Sequence, residues 1–177
     1  MMGAPRPKNL IGMRLSIARH AADMLNLQFG DITRENDKSW GELALHIQAP
    51  WRMRKGVTIL IGRNDRWNPV DEIEDWDSWY QSPHPNREDY FWLDFMGRRD
   101  EATKSFECDS DSVAVRSALE TEVGDLTLEF DDGTLLEIFG CGTDDEFWRL
   151  LRPGDESEHY VIEHSTPRPN KRMESNG

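Results

Sequence analysis

His46, Gln48, Trp51 and Arg52 lie within one stretch, Leu43–Gly62, which reads LALHIQAPWRMRKGVTILIG. An imidazole, an amide and a guanidinium this close together could hold a carboxylate or another planar polar ligand. Arg149, from a second Trp-Arg pair (Trp148-Arg149), is a candidate to join them. A simpler account is structural. His46 and Gln48 would satisfy backbone groups, Arg52 would stack on an aromatic ring, and Trp51 would fill a sheet corner.

A second group is acidic and aromatic. Asp71, Glu72, Glu74, Asp75 and Asp77 are interleaved with Trp67, Trp76, Trp79, Tyr80 and, further on, Trp92. So many carboxylates could attract a hard cation such as Ca²⁺, but the Asp-x-Asp-x-Asp-Gly loop pattern is missing, so no metal is expected. Aromatic anchors within a charged rim are typical of interaction hot spots, and these charges would favour a basic protein partner. A merely solvated acidic face is the plainer alternative.

Other chemistry finds little support. Neither Cys108 nor Cys141 belongs to a Cys-x-x-Cys pair, and His159 with His164 lacks a second pair at zinc-ligand spacing. The acidic neighbours of Cys108 (FECDSD) would raise its thiol pKa. A Gly-x-Ser-x-Gly elbow, a Gly-x-Gly-x-x-Gly turn and a P-loop are all missing. The reading leans away from an enzyme, and no cofactor is expected.

Composition narrows the classes further. The chain has 177 residues, 37% of them hydrophobic and 31% charged, with a formal net charge of −13. One soluble domain fits that length and mixture. The acidic surface would repel phosphate backbones, so nucleic acid is not an expected partner. No apolar run approaches the roughly 20 residues of a membrane span. MMGAPRPKNL has no apolar core of a secretory signal, and two cysteines make no disulfide framework, so a cytoplasmic location is expected.

The elements that must position these residues read mainly as strands. Met13, Leu15 and Ile17 alternate with polar neighbours, as do Leu25, Leu27 and Phe29. Gly30 ends that run, and DITRENDKS reads as a loop. In Leu43–Ile47 the leucines and Ile47 face one way while His46 and Gln48 face the other, and Pro50 ends the ladder. Ser112–Glu122 fits strand or helix. Asp131-Asp132-Gly133 between alternating runs is a hairpin signal. Gly97–Phe106 has the composition of a short helix. Asp144–Leu151 reads as a helical turn capped by Thr143. Residues 1–8 and 165–177 read as disordered.

The two ends of the chain echo each other. Leu25-x-Leu27-x-Phe29 matches Leu126-x-Leu128-x-Phe130, each followed by an apolar strand, a Trp-Arg pair and a closing strand. An internal duplication would explain this, with halves at about 9–62 and 112–164 inside one domain, 9–164. The Trp-rich segment 63–111 would then be an ordered insertion. The expected fold is α+β and β-rich, with antiparallel strands in two meander-like halves and one or two short helices. Leu15, Ile17, Leu25, Leu27, Phe29, Leu45, Ile47, Ile59, Ile61, Leu126, Leu128, Phe130, Leu136 and Ile138 are the expected core.

Three motifs resemble a small family of uncharacterised bacterial proteins: Leu10-Ile11-Gly12, the strand Trp40–Gln48 running on to Pro50-Trp51-Arg52, and Phe147-Trp148-Arg149-Leu150 followed by Arg152-Pro153-Gly154. The resemblance implies a cytoplasmic domain of unknown function with no catalytic residues to carry over. In charge and size the chain is also similar to immunity proteins that neutralise cationic toxins. The leading expectation is therefore a non-enzymatic binding module for a basic protein. A small-molecule-binding or enzymatic pocket on the His46, Gln48 and Arg52 face, and a homo-oligomer such as a homodimer formed through the Trp-rich segment, are the alternatives.

Overall fold

Alternating apolar residues become strands with one buried face throughout the computed structural model, which describes residues 3–109, 111–143, 145–155 and 158–163. The first half forms β1 (Leu15–Ala21), β2 (Met24–Phe29), a small hairpin β3 (Thr33–Glu35) and β4 (Lys38–Trp40), then β5 (Leu43–Ile47), β6 (Trp51–Lys55) and β7 (Thr58–Gly62). Two helices follow, α1 (Trp76–Gln81) and α2 (Arg87–Met96), then a hairpin of β8 (Arg98–Asp100) and β9 (Ser105–Glu107). The second half forms β10 (Val115–Glu120), β11 (Leu126–Phe130), β12 (Thr134–Ile138), β13 (Glu146–Leu151) and β14 (Tyr160–Glu163). All strand pairings are antiparallel, so the β-rich α+β expectation holds.

The two halves interlock. One sheet has the order β14-β13-β5-β2-β1-β9-β8 and the other β10-β11-β12-β6-β7. Each half therefore places a three-stranded meander in one sheet and a two-stranded hairpin in the other. The register repeats with the topology. Trp148 lies opposite Ile47 as Trp51 lies opposite Ile138, and Arg149 opposite His46 as Arg52 lies opposite Glu137. A bulge interrupts β1 between Leu15 and Ile17, and its counterpart interrupts β10 between Val115 and Ser117. Leu15 N–H donates to Val113 O and Val115 N–H to Met13 O, both at 2.9 Å, a reciprocal exchange that ties the sheets together. The sequence echo thus coincides with a repeat of topology and register.

Pro50 is the pivot of the exchange. It cannot donate to a ladder, and the chain crosses there from one sheet to the other. The crossing is held by Gln48 and Ala49 N–H, both donating to Phe147 O at 3.0 Å, and by Phe139 N–H donating to Pro50 O at 2.9 Å. The inward faces of both sheets then share one core, including Leu27, Leu45, Trp51, Leu128, Leu136 and Trp148.

Several local expectations give way. Gly97–Phe106 is the hairpin β8–β9, because Phe106 pairs beside Ala18 and extends the larger sheet. Glu146–Leu151 is strand β13, fixed by ladders on both sides, and not a helical turn. Burial of Phe147, Trp148 and Leu150 outweighs a local preference for helix. DITRENDKS contains β3 and part of β4. That hairpin is pinned where buried Glu107 accepts from Ser39 Oγ and Arg34 Nη1, both at 2.7 Å. The helices sit instead in the Trp-rich segment. Asp75 caps α1 by accepting from Ser78 N–H, Asn86 caps α2 by accepting from Asp89 N–H, and Gly97, at φ 88°, ends α2 in the left-handed region.

At the N-terminus, Pro5 and Pro7 are buried and Pro7–Leu10 forms a 3-10 turn, whereas this part of 1–8 was expected to be disordered. Of the expected core only Ile59 is exposed. A bulge between Met53 and Arg54 places Ile61 opposite Met53 but turns Ile59 outward opposite Arg54. The tail expected over 165–177 lies outside the described residues, as does His164.

Candidate functional site

Strand pairing divides the His46 group. His46 and Arg149 are cross-strand neighbours on the outer face of the larger sheet. Glu146 joins them, accepting from Arg149 Nε at 2.6 Å and from Gln48 Nε2 at 2.9 Å. Burial, and secondarily the Arg149 charge, push the His46 pKa from 6.5 down to about 4, so the ring is neutral at neutral pH. Gln48 and Glu146 line an open depression of about 640 Å³ with Arg63 and Cys141. Arg52 belongs to the other sheet, where its Nε donates to Glu137 at 2.6 Å. Trp51 points into the core. The expected convergence of His46, Gln48, Trp51, Arg52 and Arg149 therefore does not occur, because Pro50 carries Trp51 and Arg52 into the opposite sheet.

The acidic, aromatic segment gathers into one surface. Trp67 ends a 3-10 turn (Arg63–Trp67), and Trp76 and Tyr80 lie one helical turn apart on α1. The Tyr80 ring centroid is 6.2 Å from that of Trp67 and 5.7 Å from that of Trp76. All three remain exposed, at 39% for Trp67, 46% for Trp76 and 53% for Tyr80. Asp71, Glu72, Glu74, Asp75 and Asp77 are exposed around them. Asp75 is spent on the α1 cap, while Asp71, Glu72, Glu74 and Asp77 make no ion pair among the described residues.

Two aromatic members of that group are corrected. Trp79 is buried beneath Trp76 and Tyr80, with centroids at 5.8 and 5.4 Å, and serves as their floor. Trp92 is fully buried, 6.2 Å from Trp51, with its Nε1–H donating to Glu88. It anchors α2 to the core and offers nothing to a partner.

The fold also assembles groups that the linear reading does not single out. His20 on β1 and Glu88 on α2 meet at 2.6 Å, and His84 meets Asp89 at 2.5 Å. The cap at Asn86, the acids Glu88 and Asp89 and the terminal Gly97 are a legible helix signature from which α2 could have been anticipated. Nothing in the spacing brings His20 to it.

No protein-family model matches the chain, and no curated protein or solved structure matches it. The three motifs behind the bacterial resemblance fall on the end of the first 3-10 turn and the two residues after it, on β4–β5 with the start of β6, and on β13 with the turn after it.

Proposed function

We propose that the protein is a non-enzymatic binding module that engages a basic protein partner through the Trp67–Trp76–Tyr80 surface. The observation that carries this reading is an exposed cluster of three large aromatic rings within a rim of carboxylates that no cation of the described chain neutralises. Exposed rings on a buried Trp79 floor lose little conformational entropy on binding, which suits them as anchors. The rim carboxylates, in a chain of net charge −13, attract and orient a cationic surface. The cytoplasm is the proposed location, consistent with Cys108 and Cys141 both being free. The similarity to immunity proteins fits the same reading.

The test is to capture a partner with the full chain, purify it and titrate it. A basic partner is expected, with affinity that falls as salt rises. Trp76→Ala should weaken binding roughly tenfold or more, the cost of losing a hot-spot aromatic. An acidic partner, or affinity indifferent to salt and to Trp76→Ala, would overturn the proposal.

Self-association is the second reading, and a separate feature favours it. β7 is an edge strand with Ile59 and Leu60 exposed and Val57 fully exposed beside it, a row open to pairing with another chain. Light scattering at high concentration that finds only monomer would remove it.

A further inference from the structure

Next to Trp67, Arg66 also lines a cleft of about 200 Å³ between β1, α2 and the β8–β9 hairpin. His20, His84, Asp89, Arg99 and Lys104 are among the groups that line it with Arg66. Two arginines and a lysine around one small cavity are an unexpected feature in a chain with 34 acidic and 21 basic residues.

Several other arginines have carboxylate partners. Arg34 and Arg98 share Glu107, Arg52 and Arg54 share Glu137, and Arg149 holds Glu146. Arg66 makes no hydrogen bond or ion pair among the described residues. Its guanidinium stands 5.9 Å from the Trp67 ring centroid, and its Nε is buried without a partner. Arg99 is only partly engaged. Its Nη1–H donates to His84 Nε2 at 3.1 Å, and its Nε makes no hydrogen bond, lying 3.6 Å from exposed Glu101. Lys104 reaches the same Glu101 at 2.9 Å.

Of the three cations, Arg66 alone has no carboxylate partner among the described residues. Asp89 accepts from His84 Nδ1 at 2.5 Å and from Asn86 Nδ2 at 3.2 Å. This fixes the His84 ring and leaves its Nε2 facing Arg99. Glu88 sits behind His20, where its Oε1 accepts from His20 Nε2 at 2.6 Å and Trp92 Nε1 at 2.9 Å. His20 Nδ1 is then buried with no partner. Arg66 Nε and His20 Nδ1 are both buried and unsatisfied, as is Glu88 Oε2 behind His20, and a bound oxyanion would relieve the desolvation cost at the Arg66 donor.

We infer that this cleft binds a phosphate group. Two guanidinium forks match the oxygen spacing of phosphate. Phosphate has four oxygens against the two of a carboxylate, so it can offer a separate oxygen to each of Arg66, Arg99 and Lys104. The hydroxyl of hydrogen phosphate can also donate to His20 Nδ1. The cavity is large enough for one such group. The phosphate could be the free ion or an ester on a partner's side chain.

The test is calorimetric titration of the full chain with sodium phosphate, sodium acetate and O-phosphoserine, each at constant ionic strength. The inference predicts saturable binding of phosphate or phosphoserine at one site, and weaker binding of acetate. Arg66→Gln and Arg99→Gln should each weaken it roughly tenfold or more, as loss of a charge-assisted hydrogen bond implies. In the unmodified chain phosphate should shift the ring signals of His20 and His84 in NMR spectra and leave those of His46 in place. Tighter binding of phosphoserine would identify an esterified group as the ligand, and tighter binding of phosphate the free ion. No saturable binding, acetate equal to phosphate, or unchanged affinity in folded Arg66→Gln would overturn the inference. Should either variant fail to fold, the histidine signals of the unmodified chain decide the matter. No basic partner is needed, so the result is independent of the docking surface.

Discussion

The two outer sheet faces related by the repeat have the same backbone and different chemistry. On β12–β6, Glu137 lies opposite Arg52, and its carboxylate takes Arg52 Nε at 2.6 Å and Arg54 Nε at 2.9 Å. On β13–β5 the place of Glu137 is taken by His46, so Arg149 finds its carboxylate along its own strand, at Glu146. The first arrangement is a cross-strand ion pair. The second leaves a neutral imidazole beside a guanidinium. Register, which comes from the fold, sets which positions meet. What the meeting does depends on the two side chains placed there.

The sharpest way to break this comparison is in the core beneath it. Trp148 and Trp51 are equivalent by register, but Trp148 Nε1–H donates to Gly124 O at 2.9 Å, while Trp51 leans on Trp92. Trp148→Ala should cost about 3–5 kcal/mol in urea unfolding. Trp148→Phe should cost more than Trp51→Phe, because it also orphans a buried carbonyl. Equal costs would show that the repeat is energetically symmetric.

A smaller effect separates the faces by pH. The folded chain holds the His46 pKa below its unfolded value of 6.5, so below that pH the unfolded chain takes up a proton that the folded chain does not. Stability from this group is complete above pH 6.5 and is lost as pH falls toward 4. The loss should reach about 1–2 kcal/mol, less than the full shift implies because the ring is only half-buried. Thermal melts of His46→Gln should lack this loss between pH 6.5 and 4.5. A variant as acid-sensitive as the unmodified chain would refute the assignment.

The smallest effect belongs to the other face. Arg52 and Arg54 are partly exposed, so Glu137→Gln should cost about 1 kcal/mol at pH 7 and low salt, and less at high salt. The Glu137 pKa is lowered by its two guanidiniums against the opposing effect of burial. Its contribution should therefore be present above the ordinary carboxylate range and disappear as pH falls below it. His46→Glu would bring the two faces closer together, and it should raise stability slightly at pH 7 if cross-strand pairing alone makes the difference.

Much of the fold was legible in the chain. The Leu-x-Leu-x-Phe runs, the Asp-Asp-Gly hairpin and the strand that ends at Pro50 all announce themselves, because a pleated strand with one buried face imposes a period of two. The same rule misplaced Ile59, since a bulge inserts a residue and reverses the alternation. It also could not show that Ser105–Glu107 pairs with β1 or that Glu146–Leu151 lies between two strands. Those segments look helical alone, and only their neighbours make them strands. Of the candidate site, the acidic and aromatic surface was visible as composition. The burial of Trp79 and Trp92 was not, because it depends on where α1 and α2 dock.

By itself the sequence determined most of the strands with one buried face, that two stretches repeat, and that the surface is strongly acidic. These are properties of neighbouring residues and of total charge. Only the tertiary structure decided that Arg52 parts from His46, that Arg66 lies in a cleft with His20 and Arg99, and that Trp67 joins Tyr80. Each of those outcomes depends on contacts between residues far apart in the chain, and strand crossing and helix docking set such contacts.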